Sequence, residues 1–194
     1  MLIAIGSVLL FVPHARFPDF YHPVYMGIAS LFSVFLIHLP LSRLMRRAAR
    51  KPRLILEARS AVAFSVSLNM AGELGLFQLY RFGFEYDKFA HFSVCLLFTW
   101  ILCKVFVEGE YLTLRKALVF AALIVFASGI LWEAIEFSSD IFFGTQEWGV
   151  YGQDTLSDTV KDILFNTIGI LFGATIFTVR EKQSILFPKG TRIP

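Results

Sequence analysis

The sequence predicts an all-α, polytopic transmembrane helical bundle of about six helices, with both termini in the cytoplasm. Three observations carry this. Of 194 residues, 56% are hydrophobic and 16% aromatic, with 22 Phe, and mean hydropathy is +0.65, more than a soluble domain of this length has use for. The apolar residues gather in six runs, at 2–12, 24–41, 60–80, 89–107, 117–137 and 162–179. Basic residues collect on one side of those runs. At this length the chain reads as a single integral membrane domain over 1–194, with no separate soluble module.

The first run is short and ends at Pro13, without a basic leader or a small-residue cleavage pattern, so it reads as a short first helix more than as a signal peptide. The other five are long enough to cross roughly 30 Å of hydrocarbon at ~1.5 Å per residue. No proline lies between Arg53 and Phe187, so the last four helices should be unbroken by proline. Cys95 and Cys103 stand two turns apart on one run, too far for an intrahelical disulfide and too few for a zinc motif, and read as packing residues.

Orientation follows from lysine and arginine. Arg43, Arg46, Arg47, Arg50, Lys51, Arg53 and Arg59 precede or open the third run; Lys104, Arg115 and Lys116 surround the next turn on that side; Arg180, Lys182, Lys189 and Arg192 follow the last run. These fourteen of 18 basic residues define the cytoplasmic side, leaving Arg16, Arg81, Lys88 and Lys161 outside. The run at 43–53 can also attract anionic lipid, though a topology signal explains it more simply. The basic pI near 8.9 thus reflects topology and points to the bilayer as partner, not to nucleic acid.

Acids show the opposite bias. Glu57, Glu108, Glu110 and Glu181 are cytoplasmic, and the other 11 of 15 fall in the outer half. Asp87 and His91 are one turn apart at the outer mouth of the fourth run; Glu133, Glu136 and Asp140 share a face if the fifth helix extends that far; Asp154, Asp158, Asp162 and Asn166 recur every four residues into the sixth. Gly169 and Gly173 continue that last stripe and admit a close neighbouring helix, so the stripe should face the bundle interior. Glu73, with Asn69 one turn earlier, completes the set.

Each residue alone has a plainer explanation. Asp87 or Asp154 can serve as an N-cap, where an acid suits the helix dipole, His91 as a hydrogen-bonded core histidine, and Glu73 as a protonated interhelical donor. Glu85 and Glu147 read as solvated loop residues. The set resists such explanation, because Glu133 and Glu136 sit toward the C-terminal end of their run, where the dipole disfavours them. Acids inside a membrane are costly and normally pair, bind a cation or carry protons. Arg81, Lys88 and Lys161 neutralise only part of the charge. Asp87, His91, Glu133, Glu136, Asp158 and Asp162 are therefore the candidate ligands of a divalent metal cation, with Mg2+, Mn2+, Ca2+, Fe2+ and Zn2+ all compatible with carboxylates plus one imidazole. His91, Glu136 and Asp158 are the candidate catalytic groups. Phe142, Phe143, Trp148 and Tyr151 in the following segment, 138–153, suit either an interfacial aromatic belt or a lid over the acids.

Asp87–His91–Phe92, the WExxE of Trp132–Glu136 with Asp140, and Asp154–Asp158 followed by Asp162 resemble the YjdF-like inner-membrane proteins. The ending from Asp162 to Ala174 is also similar to the VanZ-like family, although the Arg that family carries between its Glu and final Asp is missing here. The likeness covers roughly 84–174 and implies a multi-pass protein of the bacterial inner membrane with a shared polar site.

Two classes of function fit. One is a metal-dependent membrane enzyme, hydrolytic or group-transferring, acting on a lipid or lipid-linked headgroup at the outer interface. The other is a cation- or proton-coupled transporter using the same acids as a relay. An accessory membrane subunit is the third possibility. One-sided acids and the absence of inverted repeats favour the enzyme.

Overall fold

Proline placement marks where the first long helix begins. Pro52 stands at the start of α2 (Pro52–Glu73), where its missing N–H deprives no carbonyl, and the Lys51 carbonyl accepts from the Leu54 and Ile55 amides at 3.0 and 3.3 Å. The computed structural model describes residues 2–11, 27–28, 31–32, 34, 51–73, 75–143 and 155–186. Besides α2 these hold α1 (Leu2–Phe11), a 3-10 helix (Leu76–Phe82), α3 (Tyr86–Glu108), α4 (Leu114–Phe143) and α5 (Thr155–Leu186), with no strand among the described residues. The expected run at 24–41 lies outside the described residues apart from helical positions at 27–28, 31–32 and 34. Among the described residues, four helices are long and apolar enough to cross a membrane: Pro52–Gly72, Tyr86–Glu108, Leu114–Ser138 and Leu156–Gln183, with mean hydropathies of 1.2, 1.9, 2.2 and 1.7.

The helices overrun the apolar runs because charged residues at their ends find partners without leaving the helix. The run expected at 60–80 folds as two pieces. Helix α2 starts at Pro52, carrying Arg53 and Glu57 in an i,i+4 pair at 3.0 Å, and stops at Glu73. Gly75, at a φ of 122° that favours glycine, turns the chain into the 3-10 helix. Helix α4 continues to Phe143, so Glu133 and Glu136 lie well inside it and escape the C-terminal dipole expected to disfavour them. Residue Glu85 takes the cap position of α3 without a side-chain cap bond, and Asp87 stands in the first turn, not at the cap.

Helix α3 is the axis of the bundle and packs against α2, α4 and α5. Along α2 it runs antiparallel, burying Ile101 and Val105 against Leu54, Ala58 and Ala61. Along α5 it runs parallel: Cys95 meets Ile170 and Val125 in one layer, and Cys103 meets Phe177 and Ala121 in the next. Two glycines set this approach. A Cβ on Gly169 would stand 2.3 Å from the Phe92 carbonyl oxygen, and one on Gly173 2.4 Å from that of Leu96, so only glycine fits. Large apolar side chains also cover the outside of the bundle: Phe120, Leu123, Leu131, Leu164, Leu171 and Phe172 are all exposed, as suits side chains facing lipid.

Charges sort to the two ends. At one, buried Lys104 bonds Glu57, lies 3.6 Å from Glu108 and sits 5.3 Å above the Trp100 ring, which Arg180 also covers at 5.6 Å. Lys51 reaches from the start of α2 to the backbone carbonyl of Glu108. The other end holds the acids. Between them lie no Asp, Glu, His, Lys or Arg, from 92 to 103 on α3, 117 to 132 on α4 and 163 to 179 on α5.

Candidate cation site at the acidic end

Helical spacing aims three polar faces at one point. On α3, Lys88, His91, Cys95 and Thr99 follow each other at three- and four-residue steps; on α5, Asp158, Asp162 and Asn166 do so at four; on α4, Glu133 and Glu136 are three apart. Lys88 is 1% exposed, yet it is charged, and its surroundings explain how it is tolerated. Its ammonium lies 2.9 Å from Asp87 Oδ2 and 2.7 Å from Asp162 Oδ1, and it donates to Asp158 Oδ1. Three carboxylates from two helices thus share one cation.

His91 is the second centre. Its Nε2 lies 3.4 Å from Asp87 Oδ1 and 3.8 Å from Asp162 Oδ1, while Nδ1 lies 3.3 Å from Glu133 Oε1 and 3.2 Å from Asn166 Oδ1. Among the described residues two triads of potential ligands follow, Asp87–His91–Asp162 and His91–Glu133–Glu136, each with its donor atoms within 4.8 Å of one another. The imidazole is common to both. Asp162 Oδ1 is enclosed, with the Lys88 ammonium 2.7 Å away and His91 Nε2 at 3.8 Å.

Glu136 is partly exposed, as Asp87 and His91 are, and has a partner on the outer side of α4. Its Oε1 accepts from Trp132 Nε1 at 2.8 Å, and Trp132 is 44% exposed, so this carboxylate links the buried cluster to the outside of α4. Asp158, expected among the ligands, is engaged by Lys88. The side chains of Glu73 and Asp140, all of Asp154, and the segment from 144 to 153 with its aromatic residues lie outside the described residues. Glu85, expected to be solvated, lies 3.6 Å from Lys161.

Two residues matter more here than the spacing of acids suggests. Lys88 reads from sequence as a partial neutraliser beside Asp87, and Asn166 as the inner end of a stripe. The step of three from Lys88 to His91, and of four on to Cys95, is the signal that puts Lys88 on the inward face. Asn166, 3% exposed, joins all three helices: Nδ2 donates to Glu133 Oε1 at 3.4 Å, and Oδ1 accepts from Cys95 Sγ at 3.0 Å and faces His91. The amide fits because α4 has Gly129 opposite, whose missing Cβ would stand 3.1 Å from Nδ2.

Chemically, among the described residues, five carboxylates face one lysine and one histidine inside an apolar bundle. Even with both bases charged, acid is in excess, which favours a further cation or retained protons. No curated protein and no solved structure shows significant similarity to this chain. The family described as "Predicted membrane protein (DUF2238)", the YjdF-like family, matches residues 1–183, and the chain belongs to it.

Proposed function

We propose that the protein holds a divalent cation at His91 and serves as a metal-dependent membrane enzyme, acting on a lipid or lipid-linked headgroup at the outer face of the bacterial inner membrane. The observation that supports it is the imidazole with a carboxylate on each side, inside a cluster whose own bases leave acid in excess. Ligand atoms sharing an ion at ~2.1 Å in tetrahedral geometry stand about 3.4 Å apart, the spacing of His91 Nε2 from Asp87 Oδ1. A bound ion would polarise a phosphoryl or acyl oxygen of the headgroup. Glu136, at the edge marked by Trp132, is the carboxylate suited to move a proton to or from the substrate. Asp158 keeps Lys88 in register and so fixes the charge of the cluster. The helix stretches free of charged residues between the two ends favour this one-sided site over a transmembrane relay.

Metal content of protein purified without chelator, with a parallel screen of lipid-linked phosphates and esters, tests the reading. About one divalent ion per chain, turnover of an amphiphilic substrate, loss of turnover in Glu136→Gln and loss of both ion and turnover in His91→Ala are expected. An ion-free, inactive parent, or a Glu136→Gln protein that melts higher with unaltered metal content and phenotype, would count against it, since neutralising one acid of a merely crowded cluster relieves repulsion.

A further inference from the structure

The two triads at His91 leave open which ring nitrogen meets the cation, and the hydrogen bonds around the ring decide it. Glu133 Oε1 accepts from Asn166 Nδ2, and this orients the amide so that its oxygen faces His91 Nδ1 and the Cys95 thiol. An amide oxygen only accepts, so the imidazole nitrogen opposite must donate. Glu133 Oε1, 3.3 Å away, is a second acceptor on that same side. A nitrogen that carries the proton has no lone pair for a metal. On the other side Nε2 faces Asp87 Oδ1 and the enclosed Asp162 Oδ1, whose one neighbour among the described bases besides the imidazole is the Lys88 ammonium at 2.7 Å.

We infer that Asn166 is the positioning residue of this site: it holds His91 as the Nδ1–H tautomer, so that Nε2, with Asp87 and Asp162, binds the divalent cation, while Glu133 and Glu136 stand outside its coordination. The inference rests on the cation reading above and deepens it by choosing between the triads. Asp87 is placed for this division, since Oδ2 is occupied by Lys88 at 2.9 Å and Oδ1 is turned toward His91. Partners that orient a ligating histidine through its other nitrogen recur in metal sites, and losing one typically costs 10–100-fold in metal affinity. Gly129 belongs to the same device, because a side chain there would press on the amide.

The test uses the full chain in lipid nanodiscs with His14, His22 and His38 replaced by Gln, which leaves His91 as the one histidine of four. With isotope-labelled imidazole nitrogens and an NMR-active cadmium isotope as the probe, Cd2+ coupling is expected on Nε2 with the proton retained on Nδ1. Asn166→Leu should weaken Cd2+ binding by roughly 10–100-fold and mix the tautomers, whereas Asn166→Asp, which keeps an acceptor opposite Nδ1, should keep the tautomer. Coupling on Nδ1 would overturn the inference while leaving the cation reading standing. Unchanged affinity and tautomer in Asn166→Leu would overturn it likewise. No Cd2+ coupling on either nitrogen would overturn both together. The tautomer readout with Asn166 in place needs no Asn166 variant to fold.

Discussion

Lys88→Met is the most direct probe of how the acidic end is held together. Methionine fills similar space and removes the ammonium that Asp87, Asp158 and Asp162 share. Those carboxylates come from α3 and α5, the helices whose close approach Gly169 and Gly173 permit, so losing the cation sets like charges against each other across that seam. Because Lys88 is 1% exposed, water cannot take its place cheaply. Breaking a buried ion pair by removing one partner costs about 3–5 kcal/mol. For a chain of this size each kcal/mol moves the midpoint by roughly 2–4 °C, which gives a fall of roughly 6–20 °C. Cys95 and Cys103 are free and buried, so a thiol-reactive fluorophore reports unfolding in detergent. Adding Asp158→Asn should recover part of the loss, a coupling of roughly 0.5–3 kcal/mol in a double-mutant cycle. A Lys88→Met protein that melts with the parent, or strictly additive effects of the two substitutions, would refute the account of Lys88 as the shared counter-ion.

Other outcomes follow from the same structure. Gly173→Ala should cost about 1–3 kcal/mol or more in the same melting assay, because its Cβ would press on the Leu96 carbonyl and force α3 and α5 apart; a neutral effect would contradict the close approach. Lys104→Met should destabilise as well, since it removes the buried partner of Glu57 and the cation over the Trp100 ring, leaving Glu57 with Arg53 alone; Glu57→Gln in the same protein should restore part of the loss. Cysteines placed at Phe82 and at Lys116, on a Cys95→Ala, Cys103→Ala background, should react from outside and from the cytoplasm respectively; the reverse pattern would invert the proposed topology. If an ion is bound at 100 times its dissociation constant, chelation should lower stability by about 2.7 kcal/mol, and Asp162→Asn should abolish that chelator sensitivity.

Much of the site was legible in residue spacing. Asp87 with His91, Glu133 with Glu136, and Asp158 with Asp162 and Asn166 each share a helical face, and Gly169 and Gly173 indicated which face of the last helix turns inward. Spacing fixes only the direction of a side chain about its own helix. It does not say which helices are neighbours, so the pairing of Lys88 on α3 with two aspartates on α5, seventy and more residues away, was out of its reach. Asn166 was visible as a polar position, but its place among Glu133, His91 and Cys95 needed three helices in register.

By itself, then, the sequence determined the solvent and the architecture. Runs of Phe, Leu, Ile and Val exceed what a soluble core can hold, and a backbone in hydrocarbon must satisfy its own hydrogen bonds, which leaves helices as the natural spanning form for such runs. It also placed acids at one end and bases at the other, because charge along a helix is a one-dimensional property. Tertiary structure alone decided where helices end and what each buried charge touches. Glu57 and Arg53 extend α2 beyond its apolar run because their partners stand nearby. Lys88 is bearable in the interior because α3 and α5 run parallel with glycines between them, bringing three carboxylates within reach of one ammonium. Ion pairing acts over a few ångströms between segments far apart in the chain, so it is settled by packing.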